Sequence, residues 1–233
     1  NSFAGKSNII LGKKATKIFT GTDGMEKFFP AAKIMVTGNP VRNAISSATV
    51  TRADGVRFFS LDEKKKVILV VGGSLGAKSI NEAIDAGLDL LTGKDVQLIW
   101  QTGKPYAEKA QNRAAGNRMV WANEFIPKME YAYAAADVVV ARSGAITVAE
   151  LCVAKKPVIF VPYPFAAEDH QTVNALQLVN KKAAMMIKDS EAGKKLVIMA
   201  LELIKDEAMQ QELVKNISPL GITQADEKVA EEI

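Results

Sequence analysis

Two short stretches of this chain combine glycine with a change from strand pattern to helix pattern, an arrangement in which backbone amides hold an anion without a cationic side chain. The first is Gly72-Gly73-Ser74-Leu75-Gly76-Ala77, directly after the apolar run Val67–Val71. The second is Arg142-Ser143-Gly144, after the run 137–141 and before Ala145-Ile146-Thr147-Val148-Ala149-Glu150. The first amides of a helix lack an intrahelical acceptor and carry partial positive charge, so a phosphate lodges there. Ser143 or Gly144 would cap the second helix, and the amides near Ala145, Ile146 and Thr147 would face the same edge as Ser74. Helical side chains lean toward the N-terminus, so Glu150 reaches back toward whatever occupies that start. A carboxylate accepts two hydroxyls well, and a ribose supplies two. The plainer alternative, a solvated glutamate, sits poorly with the apolar Leu151, Cys152 and Val153 that follow.

Spacing narrows the chemistry. The 72–77 loop is neither the dinucleotide fingerprint nor the P-loop, because its glycines are wrongly spaced and no Lys-Ser/Thr follows. It does fit Gly-x-Ser-x-Gly, the nucleophile-elbow pattern, with Ser74 as the would-be nucleophile of a serine hydrolase. The single histidine, His170, follows it in the chain. His170 however opens a helical stretch, 172–181, just after the turn-forming Pro162-Tyr163-Pro164, where a local hydrogen-bonding job suits it better than catalysis. A tight turn without any ligand stays open as a reading of 72–77. Phe125-Ile126-Pro127, between a strand and a helix, could offer backbone groups to the edge of a base. Gln171 and Asn174 lie one helical turn apart and share a face, which suits a hydroxyl-rich sugar or a polar surface stripe. Together these loops accommodate a base, a ribose, a diphosphate and a sugar.

The elements that must carry these loops alternate. Strand patterns at Val67–Val71, 96–100, 119–121, 137–141, 157–161 and 183–187 are separated by helical patterns such as 77–91 and 105–115. That alternation predicts an α/β fold, a Rossmann-like parallel sheet with helices on both faces. Right-handed crossovers then bring the loops after the strands to one edge, where open α/β sheets bind ligands. Residues 1–37 do not join this pattern: 7–15 reads as a helix, 16–20 as a strand, and 23–30 as a turn with exposed phenylalanines. They read as the tail of a preceding domain. Gly38-Asn39-Pro40-Val41-Arg42 is a turn-rich junction, so the expected division is 1–37, a Rossmann-like domain at 38–217, and a C-terminal helix at 218–233. Beyond residue 191 the chain reads as helical and charged, broken at Ser218-Pro219-Leu220-Gly221.

Composition excludes little but sets a frame. With 233 residues, 48% of them apolar, the chain can bury a sizeable core, and no apolar run approaches the roughly 18 residues of a membrane span. The opening Asn-Ser-Phe-Ala-Gly-Lys-Ser lacks the pattern of a signal peptide and reads as the interior of a longer chain. The only cysteine, Cys152, provides neither a disulfide nor a cysteine metal site, and points to a reducing cytoplasm. A formal charge of +4 suits nucleic acid, an anionic membrane or a phosphorylated ligand equally. The lysines at 13, 14 and 17 and at 64–66 lack interleaved aromatics, which argues against a nucleic-acid platform.

The stretches Gly38–Arg42, Gly72–Ala77, Phe125-Ile126, the run from Ala136 through Arg142-Ser143-Gly144 to Glu150, and His170-Gln171-Thr172-Val173-Asn174-Ala175 resemble the MurG family, and the resemblance spans nearly the whole chain. The part from Arg142 to Glu150 is the most specific. The resemblance implies a two-domain glycosyltransferase of the GT-B type. Its C-terminal domain would hold UDP-N-acetylglucosamine, and its N-terminal domain would dock lipid I, the lipid-linked muramoyl-pentapeptide, giving lipid II of peptidoglycan synthesis. It also implies residence in the cytoplasm, peripheral on the inner face of the cell membrane, and no nucleic-acid partner.

Carried over by matching motif, Arg42 and Ser74 would contact the donor diphosphate and the backbone at Ile126 the uracil. Ala145, Ile146, Thr147, Val148 and Ala149 would line the phosphates and sugar, Glu150 would take the ribose hydroxyls, and Gln171 the sugar hydroxyls. Asn1 matches an asparagine of the family that faces the sugar, and Asn174 is a weaker carry-over. The family's glycine-rich N-terminal loops, with the histidine proposed as base, have no counterpart here, so no catalytic residue is expected in this chain. Donor binding with little turnover is the expectation, and a non-catalytic nucleotide-sugar-binding module is the alternative. No cofactor or metal is called for: Asp-x-Asp is absent from the sequence, and helix-start amides with Arg42 would balance the leaving diphosphate.

Overall fold

The computed structural model describes residues 3–47, 49–73 and 75–233. Among these, eight strands form two sheets, both parallel. A small sheet pairs β1 (Ile18–Thr20) with β2 (Ile34–Val36). The large sheet holds β3 (Val67–Val71), β4 (Gln97–Gln101), β5 (Val120–Asn123), β6 (Val138–Ala141), β7 (Val158–Phe160) and β8 (Met185–Met186). Its spatial order is β5-β4-β3-β6-β7-β8, the doubly wound order in which the chain starts at the centre, builds outward one way, then returns to build the other way.

The central strands read as continuous apolar runs because both of their faces are covered. Ile68 and Val70 belong to one buried cluster with Ile80, Ile84, Leu88 and Leu91 of the helix Lys78–Gly93 and Leu196, Ala200 and Ile204 of the helix Ala192–Lys205. Val67 and Leu69, one residue out of phase, belong to the opposite cluster. There they meet Val56 of the helix Arg52–Phe58, Ala132 of the helix Met129–Ala135, Leu151 of the helix Ala145–Ala154 and Leu178 of the helix His170–Val179. Each fully buried Leu or Ile contributes about 1.5–3 kcal/mol, so the two layers hold the sheet rigid beneath its loops.

The helices on both faces and the order of strands follow the sequence pattern, and several details do not. The strand β2 has no alternation long enough to announce it. The helix Arg52–Phe58 starts with a capping box between Thr51 and Asp54, and it packs on the helix Met129–Ala135 through Gly55, where a Cβ would meet the Tyr131 carbonyl at 2.5 Å. The C-terminal helical stretch is also broken at Asp206, whose carboxylate accepts from the Met209 amide. The phenylalanines expected to be exposed are not: Phe29 is buried with Ala4 and Met25, and Phe28 is partly buried edge-on against Phe3. Clustering the rings removes more apolar surface from water than a turn could by exposing them.

The end of the chain lies against its beginning. Gly38, at φ 84°, has Ile222 so close that a Cβ would meet it at 2.8 Å, and the Lys17 ammonium pairs with the Glu232 carboxylate near the helix Ala225–Glu231. Lys65 and Lys66 of the basic run are partnered by Asp95 and by Asp137 and Glu207, as on a solvated face. No helix of the described residues is long and apolar enough to cross a membrane.

Candidate functional site

The strands β3 and β6 are neighbours, with Val71 beside Ala141 at the end of their ladder. The two glycine-containing loops therefore leave the same sheet edge side by side. This is the switch point, where one loop turns toward one face and the next toward the other, opening a crevice.

The loop after β3 is set by a residue that sequence reasoning missed. Gln101, at the end of β4 and 4% exposed, accepts through Oε1 from the amides of Gly72 and Gly73 at 3.1 and 3.2 Å. Its Nε2 donates to the carbonyls of Gly73 and Glu124, both at 2.8 Å. All four hydrogen-bonding positions of a primary amide are thereby used. The amides of Gly72 and Gly73 thus turn inward to Gln101, and the sequence pattern places an anion at the helix start that follows. The helix start at Ala77 and Lys78 carries no side-chain cap. Gly76, at φ 76°, crosses the Thr102 carbonyl so closely that a Cβ would lie 2.1 Å from it, so only glycine fits. Ser74 and Asn1 lie outside the described residues.

The loop after β6 ends at Gly144, which stands at the N-cap of the helix Ala145–Ala154 without a side-chain cap. Ser143 does not cap; its hydroxyl donates to the Gln171 carbonyl at 2.8 Å. Asn174, buried, donates to the Ser143 carbonyl at 2.9 Å, and the Gln171 side-chain oxygen accepts from the Tyr163 amide at 3.0 Å. Gln171 and Asn174 thus help shape the loop, with Asn174 turned inward. Arg142 is also structural: its guanidinium donates to the carbonyls of Val161 and Pro162, to Ser79 and to Asp189, joining the ends of β6 and β7 to the helix Lys78–Gly93.

Glu150 is 5% exposed, which removes the solvated reading. Its Oε1 accepts from Arg42 Nε at 3.1 Å and Nη2 at 2.9 Å, and its Oε2 accepts from the Tyr133 hydroxyl at 3.0 Å. Burial, and then the Glu150 charge, hold the Tyr133 phenol well above its ordinary pKa, so it stays a donor. Arg42, assigned from sequence to the diphosphate, here sits on the carboxylate assigned to the ribose. Neither Tyr133 nor Gln101 could be read from local pattern, because each acts across the fold on a group 17 or 28 residues away.

Ile126 is buried at 1% exposure while Phe125 beside it is exposed. The His170 ring shares its Nδ1 with the Ala167 carbonyl at 2.7 Å, the local role expected of it. Between residues 21–39 and the helices Ala145–Ala154 and His170–Val179 lies a cleft of about 540 Å³, lined in part by Gly38, Asn39, Ala145, Val148, Ala149 and Asn174. Clefts of that size hold small organic ligands.

A family model described as the glycosyltransferase family 28 C-terminal domain matches residues 67–233. The chain belongs to glycosyltransferase family 28. The match begins at β3 and takes in the whole six-stranded sheet and both candidate loops. Over its full length the chain is 48% identical to a protein of Parabacteroides distasonis and to one of Bacteroides fragilis, each named UDP-N-acetylglucosamine-N-acetylmuramyl-(pentapeptide) pyrophosphoryl-undecaprenol N-acetylglucosamine transferase. It spans 64% and 62% of the length of those relatives. A crystal structure of Acinetobacter baumannii MurG superposes on all of the chain, over 64% of its own length, with a TM-score of 0.79 and 28% identity. The family 28 fold and the doubly wound order of the sheet therefore agree.

Proposed function

We propose that this chain is the donor-holding part of an N-acetylglucosaminyltransferase, which moves the sugar from UDP-N-acetylglucosamine to lipid I to give lipid II with inversion at the anomeric carbon. The observation that carries the reading is the pair of uncapped helix starts side by side at the switch point, with a buried carboxylate just beyond the first turn of one of them. In this reading the diphosphate lies on the amides of Ala145, Ile146 and Thr147, and Glu150 takes the ribose diol. The uracil meets the backbone at Ile126, and Gln171 faces the sugar. The acceptor hydroxyl attacks the anomeric carbon while the bond to the diphosphate breaks, and UDP carries away the electron pair. Helix-start amides and Arg42 stabilise that charge as it develops.

The names of the relatives support this substrate pair, and their greater length supports assigning the acceptor to a further portion of the enzyme. Because lipid I is membrane-borne, contact with the inner membrane face belongs to the same proposal. Calorimetric titration with UDP-N-acetylglucosamine, UDP-glucose and UDP tests it. The chain is expected to bind all three and to prefer the N-acetylated sugar. Equal affinity for the two sugars would remove the specificity assigned here, and binding of none would remove the donor reading.

A further inference from the structure

We propose that Tyr133 is a positioning residue that holds the Glu150 carboxylate in the orientation needed to receive the 2′ and 3′ hydroxyls of the donor ribose. The inference rests on the donor reading above and names a residue that the motifs do not contain.

The two side chains come from different elements. Tyr133 stands on the helix Met129–Ala135 and is 3% exposed, and Glu150 stands on the helix Ala145–Ala154 and is 5% exposed. A glutamate carboxylate turns freely about its last torsions unless both oxygens are fixed. Here they are fixed from opposite sides, Oε2 by the Tyr133 hydroxyl at 3.0 Å and Oε1 by Arg42 at 2.9 and 3.1 Å.

The two partners differ in how firmly they are held. The Arg42 side chain is 52% exposed and lies just before the four-residue helix Asn43–Ser46, whereas Tyr133 is sealed in the core between the sheet and its helices. A carboxylate offers about four acceptor positions, and these contacts occupy three. One ribose hydroxyl takes the position remaining on Oε2. The second takes a position on Oε1 that Arg42 gives up, which turns the guanidinium toward the diphosphate. Throughout this exchange the Tyr133 bond keeps the carboxylate plane in place, so the diol meets a preorganised acceptor.

The test compares UDP with 2′-deoxy-UDP by calorimetry on the unaltered chain and on Tyr133→Phe and Tyr133→Leu, with melting temperatures to show that each is folded. The unaltered chain is expected to prefer UDP by roughly ten-fold, the size of one charge-assisted hydrogen bond. Both variants are expected to lower that preference at least about three-fold, because both lack the hydroxyl. An unchanged preference in a folded Tyr133→Phe chain overturns the positioning role and leaves the ribose reading of Glu150 standing. A preference that falls in the Leu variant but not in the Phe variant assigns the effect to the ring and also overturns it. Equal binding of the two nucleotides by the unaltered chain overturns both readings together.

Discussion

Glu150 lies at 5% exposure, where a carboxylate is tolerated only with donors around it; Arg42 and Tyr133 supply them. Removing the acid therefore acts twice. Glu150→Ala leaves the buried Tyr133 hydroxyl without its acceptor, at a cost of about 1–3 kcal/mol in stability. It also removes the acceptor proposed for the ribose, with an expected loss of about 1–3 kcal/mol in UDP affinity. Urea unfolding reads the first effect and calorimetry the second; unchanged affinity in a folded variant contradicts the ribose role. Glu150 was legible because helix geometry places it from a local motif, and the apolar residues after it announce burial. Tyr133 was not, because its value depends on how two helices pack on one sheet face. Nothing in the sequence 129–135 separates it from Tyr131, which packs instead against Phe58.

At the level of elements, the loop after β3 depends on a neighbour in the sheet rather than on its own glycines. Gln101 reaches it because β4 pairs with β3 in register, Val71 beside Gln101. The same side chain holds the Glu124 carbonyl, so one amide fixes both the loop assigned to the diphosphate and the loop assigned to the base. Gln101→Ala is expected to lower stability by about 1–3 kcal/mol through unsatisfied backbone groups, and to raise the dissociation constant for UDP several-fold as the two loops loosen. Denaturant unfolding together with calorimetry checks this, and a variant that matches the unaltered chain in both would show that the loops hold themselves. Central strands were legible from apolar runs buried on both faces. The short β2, the helix Arg52–Phe58 and the break at Asp206 were not, since capping bonds and cross-sheet packing decide them rather than period.

Across the whole molecule, the six-stranded sheet is the rigid body, and residues 18–36 with their own small sheet stand across the cleft from it. The C-terminal segment stays with that smaller part through Ile222 against Gly38 and Glu232 with Lys17. The Lys17 pair is exposed and contributes little, about 0–1 kcal/mol. In the proposed function, adjacent helix starts at the sheet's switch point hold the diphosphate of a uridine nucleotide. Amide chemical shifts of the chain, followed by NMR during titration with UDP, check this residue by residue. Saturating shifts are expected at Ala145, Ile146 and Thr147, at Lys78 and at Ile126, while the amides of Gly72 and Gly73 stay bonded to Gln101. Saturable binding that shifts amides elsewhere and leaves Ala145–Thr147 unmoved would contradict it.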